Sequence, residues 1–196
     1  MKGEYLEQLF PSAISEYFSA GGKILTQIPN EEVIKLVIAI NQARKTESTV
    51  YIAGNGGSAS TASHFATDIG IGSLNRANPV RSVSLCDSSE AITAIANDMD
   101  YSYIFAQQLK LLGKPGDLLI VISASGNSEN LLKAVEVASK LKIESHSLTG
   151  FDGGKLKQLT IGRNIHVETP KGAYGLVEDA HLAICHVITE CIRSVK

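Results

Sequence analysis

The stretch that decides the fold is YIAGNGGSASTASHFATDIG, residues 51–70. A short apolar run ends in Gly54-Asn55-Gly56-Gly57-Ser58, and the residues that follow have the pattern of a helix. Glycines let the backbone approach a ligand closely, and a helix N-terminus offers unpaired N–H groups and positive partial charge to an anion. The stretch therefore predicts a strand, an anion-binding loop and a helix in succession.

The rest of the chain after Lys45 alternates short apolar runs with helical patterns. The runs predicted as strands are 49–53, 80–85, 117–123, 144–148 and 164–167, and helical patterns lie around 58–69, 89–96, 128–141, 153–159 and 177–195. Buried strands separated by helices indicate a parallel sheet that is covered on both faces. We therefore predict a single α/β domain over 1–196, with a helical segment at 1–46 and a sandwich at 47–196.

The N-terminal segment has apolar residues at helical spacing across residues 3–46. We expect Asn30 to cap its second helix, because Glu31 and Glu32 suit a first helical turn. Pro11 lies inside the first pattern and predicts either two helices or one helix with an early kink.

Composition and charge exclude several classes of protein. A net charge of −2 gives no electrostatic case for nucleic acid or for an anionic membrane. No apolar run approaches the roughly 20 residues of a membrane helix. Three cysteines are too few for a disulfide framework, and MKGEYLEQLF lacks the apolar core of a signal peptide. We therefore expect a cytoplasmic protein.

A second loop of similar chemistry, SASGNS at residues 123–128, follows the apolar run DLLIVI. Ligands of parallel sheets bind beyond the carboxyl ends of the strands, so two such loops predict a phosphate site that contains no lysine. The alternative is that Ser58 and Ser128 are ordinary N-caps, which either loop alone would leave open. Neither loop matches a P-loop or a dinucleotide-binding motif.

The segments GNGGSASTASHFATD and SASGNSENLLKAVEVA, in this order and spacing, resemble the sugar isomerase (SIS) domain. Within that superfamily the chain is similar to the phosphoheptose isomerase family, and the similarity extends through LCDSSEAITAIANDMDYSYIFAQQL and TGFDGG. The resemblance implies a flavodoxin-like, three-layer α/β/α sandwich around a five-stranded parallel sheet. It also implies a homotetramer with active sites between subunits.

The resemblance also implies a substrate and the residues that bind it. The family converts sedoheptulose 7-phosphate to D-glycero-D-manno-heptose 7-phosphate, which supplies heptose for lipopolysaccharide and other surface polysaccharides. Such an aldose–ketose isomerase needs a base at carbon, an acid at oxygen and a group that stabilises the developing oxyanion. The implied substrate-binding positions are Asn55, Gly56, Gly57, Ser58, Asp87, Ser123, Ser125, Asn127, Ser128 and Glu178.

The acid–base and metal residues follow the first loop and recur near the C-terminus. His64 and Asp68, four residues apart, share one face of a helix, although a surface ion pair has the same spacing. The family holds a zinc ion at four positions, which correspond to His64, Asp68, Glu178 and His186. The resemblance further implies Asp68 as the base and His186 as the acid.

The chain departs from the family pattern at several of these positions. Asp68 is one methylene shorter than the family's glutamate, and Glu178 replaces a glutamine. The family's Thr-x-Arg run becomes Tyr174-Gly175-Leu176, which removes an arginine near the substrate. On one straight helix Glu178 and His186 would lie roughly 12 Å apart. Either Glu178 precedes the helix, or the two residues reach one ion from different subunits.

Three other histidines are less favoured as functional residues. His181 lies on the same apolar helix as His186 and is the weaker candidate of the two. His146 and His166 lie in or beside predicted strands without a partner pattern, so we expect them to be structural.

Several other functions remain open at this stage. One is a non-catalytic sugar-phosphate-binding scaffold that resembles the DnaA initiator-associating protein, and another is an isomerase of a different sugar phosphate. The changes at Asp68 and Glu178 favour these alternatives, whereas the presence of His64 and His186 favours the isomerase. A sugar-phosphate ether lyase of the same superfamily is less favoured, because such proteins are longer and match poorly after residue 170. A transcriptional regulator would need a preceding helix-turn-helix domain, for which we expect no room.

Overall fold

The computed structural model describes residues 2–75, 78–160 and 162–194, with side chains from residue 10 onward. The helices are α1 Lys2–Thr26, α2 Asn30–Lys45, α3 Gly57–Ile71, α4 Ser89–Asp98, α5 Ile104–Leu112, α6 Glu129–Lys140, α7 Gly154–Leu159 and α8 Tyr174–Ser194. The strands are β1 Thr49–Gly54, β2 Arg81–Ser84, β3 Leu118–Ser123, β4 Glu144–Phe151 and β5 Asn164–Glu168. A single 3₁₀ turn, Tyr101–Tyr103, precedes α5.

The sheet is parallel throughout and has the strand order β2-β1-β3-β4-β5. In β1, Tyr51 lies opposite Val83 on one side and opposite Leu119 on the other. This is the flavodoxin-like order, in which the winding of the chain reverses between β1 and β3. The loops that follow these two strands, 54–58 and 123–128, therefore lie side by side at the switch point, as the sequence predicts.

The core consists of two apolar layers, one on each face of the sheet, because side chains alternate along each strand. Val50 and Ile52 of β1 pack with buried residues of α2, α3 and α8. Tyr51 and Ala53 point to the opposite face and pack with α5 and α6. Each large apolar side chain buried in this way contributes about 1.5–3 kcal/mol. The predicted three-layer α/β/α sandwich is confirmed.

Of the two alternatives at Pro11, two helices is wrong, because α1 runs through Pro11 as one helix. A proline removes one backbone hydrogen bond, while later residues such as Ile24 anchor the helix on the core. The prediction for the start of α2 is also wrong. Asn30 does not cap α2 but is its first helical residue. Pro29 takes the cap position, where its φ of −73° and ψ of 105° turn the chain into the helix.

Further along the chain, α5 was not predicted, and the last helix begins earlier than its apolar pattern. α5 is short, and its core-facing residues Ile104, Phe105 and Leu109 span little more than one helical turn. So short an apolar pattern does not distinguish a helix from a loop in the sequence. α8 begins at Tyr174, three residues before the predicted start at 177. The predicted end at Val195 lies outside the described residues.

α1 has one docked side and one exposed apolar side. Tyr17 donates a hydrogen bond of 2.7 Å to Asp179 Oδ2 on α8. An exposed row, Phe10, Ile14 and Phe18, lies on α1 as well, and Phe18 is 73% exposed. Among the described residues, no helix combines the length and the apolar character that crossing a bilayer requires.

Candidate active site

The first loop joins β1 to α3 through a backbone turn that needs glycine. Gly56 holds the cap position of α3 with a φ of +55°, in the left-handed region that glycine favours. No side chain caps the helix. Ser58 lies inside the first turn of α3, is buried, and its N–H donates to the Asn55 carbonyl at 3.0 Å. The alternative that Ser58 is an ordinary N-cap is therefore wrong.

The second loop is braced by its own side chains. The Ser123 hydroxyl accepts a hydrogen bond from the Gly126 N–H at 3.1 Å, and the Ser125 hydroxyl accepts one from the Asn127 N–H at 3.3 Å. The Asn127 amide donates to the Ser125 carbonyl at 2.9 Å and accepts from the Lys155 N–H at the start of α7 at 3.1 Å. The Asn127 side chain thus fixes the loop to α7, and its contact with the substrate stays a prediction.

Ser128 holds the N-cap position of α6, but its hydroxyl makes no capping bond. Ser88, at the same position of α4, does cap and accepts from the Ala91 N–H at 3.1 Å. Since capping is the usual reason for a serine at this position, the uncommitted Ser128 hydroxyl is available to a ligand.

A pair of asparagines ties the first loop to the start of α6, the helix that follows the second loop. The Asn55 amide donates to Asn130 Oδ1 at 2.9 Å, and the Asn130 amide donates back to Asn55 Oδ1 at 2.8 Å. Asn130 is only 2% exposed. The Tyr101 hydroxyl also donates to Asn55 Oδ1, at 3.0 Å. Neither Asn130 nor Tyr101 is among the site residues predicted from the sequence, although an asparagine two residues after Ser128 indicates a polar group at the start of α6.

The acid–base candidates lie on the flanks of α3 and α8, because apolar stripes turn other faces to the core. In α3 the buried stripe is Ala62, Phe65, Ala66 and Ile69, which leaves His64 and Asp68 beside it. In α8 the buried positions include Val177, Ile184, Ile188 and Ile192, which leaves His186 outside. Spacing of this kind is that of an amphipathic helix.

His64, Asp68 and His186 form a cluster, as the sequence predicts. His64 Nε2 lies 3.3 Å and His186 Nε2 lies 4.0 Å from Asp68 Oδ2. The ring centroids of the two histidines are 5.2 Å apart. One donor atom from each residue lies within 4.8 Å of the others. The histidine side chains are about half exposed, at 48% and 51%, so a small ligand can reach the cluster.

Glu178 lies away from this cluster. It is inside α8, which begins at Tyr174, so the alternative that it precedes the helix is wrong. Its carboxylate packs against Gly57 at the start of α3, in the space that a Cβ at that position would fill. Within one chain, three of the four predicted metal ligands are thus together. The remaining alternative, that Glu178 reaches the ion from another subunit, stays a prediction.

Asp87 and the other histidines have simpler surroundings. Asp87 follows β2 and accepts a hydrogen bond from the Ser63 hydroxyl, next to His64 on α3. His146 lies 2.7 Å from Glu144, and His166 Nδ1 lies 3.1 Å from the Thr149 hydroxyl. These contacts hold the side chains within the sheet region.

His181 belongs to the buried stripe of α8 and is fully buried. Among the described residues, neither of its ring nitrogens has a hydrogen-bond partner of good geometry. Burial lowers the pKa of His181 from 6.5 to about 4, so the ring is neutral at pH 7. It is placed as a core residue and not as a member of the His64 cluster.

A doubly wound parallel sheet with two glycine-serine loops at its switch point defines a SIS-type domain, and a family model described as "SIS domain" matches residues 16–150. The phosphoheptose isomerase of Alteromonas mediterranea is 36% identical over 171 residues, which is 85% of this chain and 84% of that protein. That of Helicobacter pylori is 41% identical over 150 residues, 76% of each chain. The chain therefore belongs to the SIS-domain family and, within it, to the phosphoheptose isomerases.

Two solved structures lead to the same class. The phosphoheptose isomerase of Neisseria gonorrhoeae superposes with a TM-score of 0.85 at 29% identity, covering 97% of this chain and all of that one. The phosphoheptose isomerase of Francisella tularensis superposes with a TM-score of 0.81, also at 29% identity, over 95% of this chain and 97% of that one. The similarity extends over the sandwich, both loops and the helices that carry the histidines.

Proposed function

We propose that this chain is an aldose–ketose isomerase that converts sedoheptulose 7-phosphate to a heptose 7-phosphate. The observation that carries the proposal is the cluster of His64, Asp68 and His186. His64 and Asp68 lie on α3, the helix that leaves the first glycine-serine loop, and α8 brings His186 to them. A phosphate binder needs the loops alone, whereas proton transfer needs a carboxylate and an imidazole at one place. The retained cluster favours the isomerase over a non-catalytic scaffold.

In this proposal Asp68 removes a proton from carbon 1 of the ketose, and His186 donates a proton to the carbonyl oxygen on carbon 2. The resulting enediol loses its proton from the oxygen on carbon 1 and gains one at carbon 2, which completes the aldose. The Asp68 side chain is 26% exposed, so it is partly shielded by the protein but still in contact with solvent. The hydroxyls of Ser125 and Ser128 and the backbone of the two loops hold the phosphate end of the substrate.

The donor set fits a divalent metal ion. Two imidazoles and one carboxylate within 4.8 Å of one another are ligands that zinc accepts, and the exposure of both histidines leaves room for a further ligand. We propose that His64, Asp68 and His186 hold zinc, with Glu178 of another subunit as the fourth residue. A bound zinc ion would polarise the carbonyl and enediol oxygens of the substrate.

An oligomer with active sites between subunits is part of the proposal. The exposed apolar row of α1 supports it, because a row of large apolar side chains on one helix face is typical of an interface. The position of Glu178 supports it as well, since Glu178 is outside the cluster of its own chain. We propose a cytoplasmic homotetramer that provides heptose for lipopolysaccharide or other surface polysaccharide.

The test is proton exchange in D₂O with sedoheptulose 7-phosphate, with and without a chelator. We expect deuterium at the carbon next to the carbonyl, strongly reduced by the chelator and by the substitutions Asp68→Asn and His186→Ala. His166→Ala is the matched control, because His166 lies outside the cluster. It is expected to leave the exchange rate within about twofold.

Two results would change the assignment. If the wild-type protein incorporates no deuterium but the sugar phosphate still raises its melting temperature, the chain is a binder or acts on another sugar phosphate. If incorporation persists in both Asp68→Asn and His186→Ala, the cluster is not the acid–base pair.

A further inference from the structure

Tyr101 begins the 3₁₀ turn before α5 and reaches across to the first glycine-serine loop. Its hydroxyl donates a hydrogen bond of 3.0 Å to Asn55 Oδ1, 46 positions earlier in the chain. The Tyr101 side chain is 55% exposed, so burial in the core does not account for its position. The contact with a predicted substrate-binding residue therefore needs another explanation.

A backbone group determines the orientation of the Asn55 amide. The Leu131 N–H donates to Asn130 Oδ1 at 3.0 Å, and because a backbone N–H can only donate, the atom it contacts must be the amide oxygen of Asn130. The Asn130 nitrogen then donates to Asn55 Oδ1, and the Asn55 nitrogen donates to Asn130 Oδ1. Asn55 therefore has only one orientation that satisfies this pair.

The hydrogen bonds of Asn55 leave one group for a ligand. An asparagine side chain can accept two hydrogen bonds at its oxygen and donate two from its nitrogen. The Asn55 oxygen accepts from Asn130 and from Tyr101, so both of its positions are taken. The Asn55 nitrogen donates to Asn130 Oδ1, and its second N–H has no partner in the described part of the chain. Asn55 therefore meets a ligand as a donor and not as an acceptor.

The turn that carries Tyr101 is attached to α6, the helix that also carries Asn130. Lys133 Nζ donates to the Ser102 hydroxyl and lies 3.8 Å from the centre of the Tyr103 ring. Asn130 and Lys133 are three positions apart on α6, so they lie on neighbouring parts of one helix face. One helix thus holds both of the groups that donate to the first loop.

We propose that Tyr101 is a positioning residue of the substrate site, which holds Asn55 in the orientation that presents an N–H to an oxygen of the sugar. The inference rests on the proposed function and adds to it a residue outside the two loops. Asn55 is half-buried, so without the Tyr101 hydroxyl one side of its oxygen is open to water and the amide gains freedom. Tyr101 acts through Asn55 and takes no part in proton transfer at Asp68 and His186.

The test compares steady-state kinetics with sedoheptulose 7-phosphate across matched variants. Tyr101→Phe, which removes only the hydroxyl, is expected to raise KM about fivefold with kcat within twofold, because it weakens a bond that the substrate and the transition state share. Tyr51→Phe is the control, since it removes a tyrosine hydroxyl that donates to the Leu112 carbonyl at 2.9 Å, outside both loops. It is expected to keep the wild-type KM even where it lowers the melting temperature.

A double-mutant cycle tests whether Tyr101 acts through Asn55. Asn55→Ala removes the N–H itself and is expected to raise KM at least about tenfold. In that background, Tyr101→Phe is expected to have no further effect on KM. A wild-type KM in Tyr101→Phe would overturn the proposal, as would increases in KM that multiply in the double variant. Asn55→Asp, which keeps the oxygen and replaces the nitrogen, takes the place of Asn55→Ala if the alanine variant does not fold.

The side-chain amide signals of Asn55 in a nuclear magnetic resonance spectrum provide a readout that needs no turnover. In protein with isotope-labelled asparagine, these signals are identified by their loss in Asn55→Asp. Tyr101→Phe is expected to shift them and to speed their exchange with water, while the signals of Asn41, which bonds to the Val37 carbonyl, stay in place.

This spectrum separates the two proposals. If the wild-type protein has no isomerase activity, the proposed function fails, while the Asn55 signals still test whether Tyr101 holds the amide. If the wild-type protein is active and Tyr101→Phe changes neither KM nor the Asn55 signals, the role of Tyr101 alone is refuted.

Discussion

The asparagine pair between the first loop and the start of α6 allows a quantitative prediction. Asn55 and Asn130 exchange two hydrogen bonds, at 2.9 and 2.8 Å, and Asn130 is almost completely buried. Each bond contributes about 1 kcal/mol net, and a buried amide that loses its partner costs about 1–3 kcal/mol. Asn55→Ala, which leaves the buried Asn130 amide unpaired, is therefore expected to lower the free energy of unfolding by about 3 kcal/mol, and Asn130→Ala, which leaves the half-buried Asn55, by about 2–3 kcal/mol.

The double variant tests whether these losses share a cause. Because both bonds join the same two residues, the double variant is expected to lose about 2 kcal/mol less than the sum of the single variants. Urea denaturation of all four proteins measures the coupling. Asn41→Ala on α2 is the control, since Asn41 bonds to the Val37 carbonyl and has no contact with the pair, so its effect is expected to add to that of Asn55→Ala. Additivity of Asn55→Ala and Asn130→Ala within about 0.5 kcal/mol would refute the pairing.

Three further predictions concern single side chains. Ser128→Ala is expected to lower the free energy of unfolding by less than about 0.5 kcal/mol and to raise KM for the sugar phosphate, because Ser128 makes no capping bond. Ser88→Ala removes a capping bond, so it is expected to cost about 1 kcal/mol and to leave KM unchanged. Equal losses of stability in urea denaturation would contradict this. In the wild type, the methyl group of Gly57→Ala would collide with the Glu178 carboxylate, which offsets the gain in helix propensity. In a Glu178→Ala background the collision is removed, and Gly57→Ala is expected to stabilise the fold by about 0.5–1 kcal/mol. The same effect in both backgrounds would show that the contact is absent. His181 is neutral in the folded protein, where its pKa is lowered to about 4, and it binds a proton more readily in the unfolded chain. Its contribution to stability is therefore fully present above pH 6.5 and falls by on the order of 3 kcal/mol as the pH drops towards 4. His181→Leu should remove this part of the pH dependence of the free energy of unfolding, and an unchanged pH dependence would show that His181 does not cause it.

The sheet and both loops follow from local patterns in the sequence. Continuous apolar runs such as DLLIVI can be buried on two faces, and the glycines at 54–58 require a turn at a strand end, so the alternation of strands and helices was predictable apart from α5. The helical spacing of His64 and Asp68 also placed them on one face, where the structure has them. These inferences depend on residues close together in sequence.

The contacts that were not predicted join distant parts of the chain. Asn130 meets Asn55 across 75 positions, and Tyr17 meets Asp179 across 162 positions, so no local pattern reports either pair. His181 and His186 have the same residue type and nearly the same neighbours in sequence. Their difference comes from the packing of α8, which buries one at 0% exposure and leaves the other at the surface. The cap of α2 was mispredicted because Pro29 fixes the backbone where Asn30 had the favoured side chain.

The hydrogen bond from Tyr17 to Asp179 has a mechanical consequence. α1 carries the exposed apolar row on one side and this bond on another, and the bond ends one helical turn into α8, the helix that carries His186. A neighbouring subunit that displaced α1 by contact with Phe18 would therefore also displace α8, through the hydrogen bond between Tyr17 and Asp179. In the proposed oligomer, such a contact would couple assembly to proton transfer at His186, so that a change at the surface of α1 would alter turnover without touching the substrate.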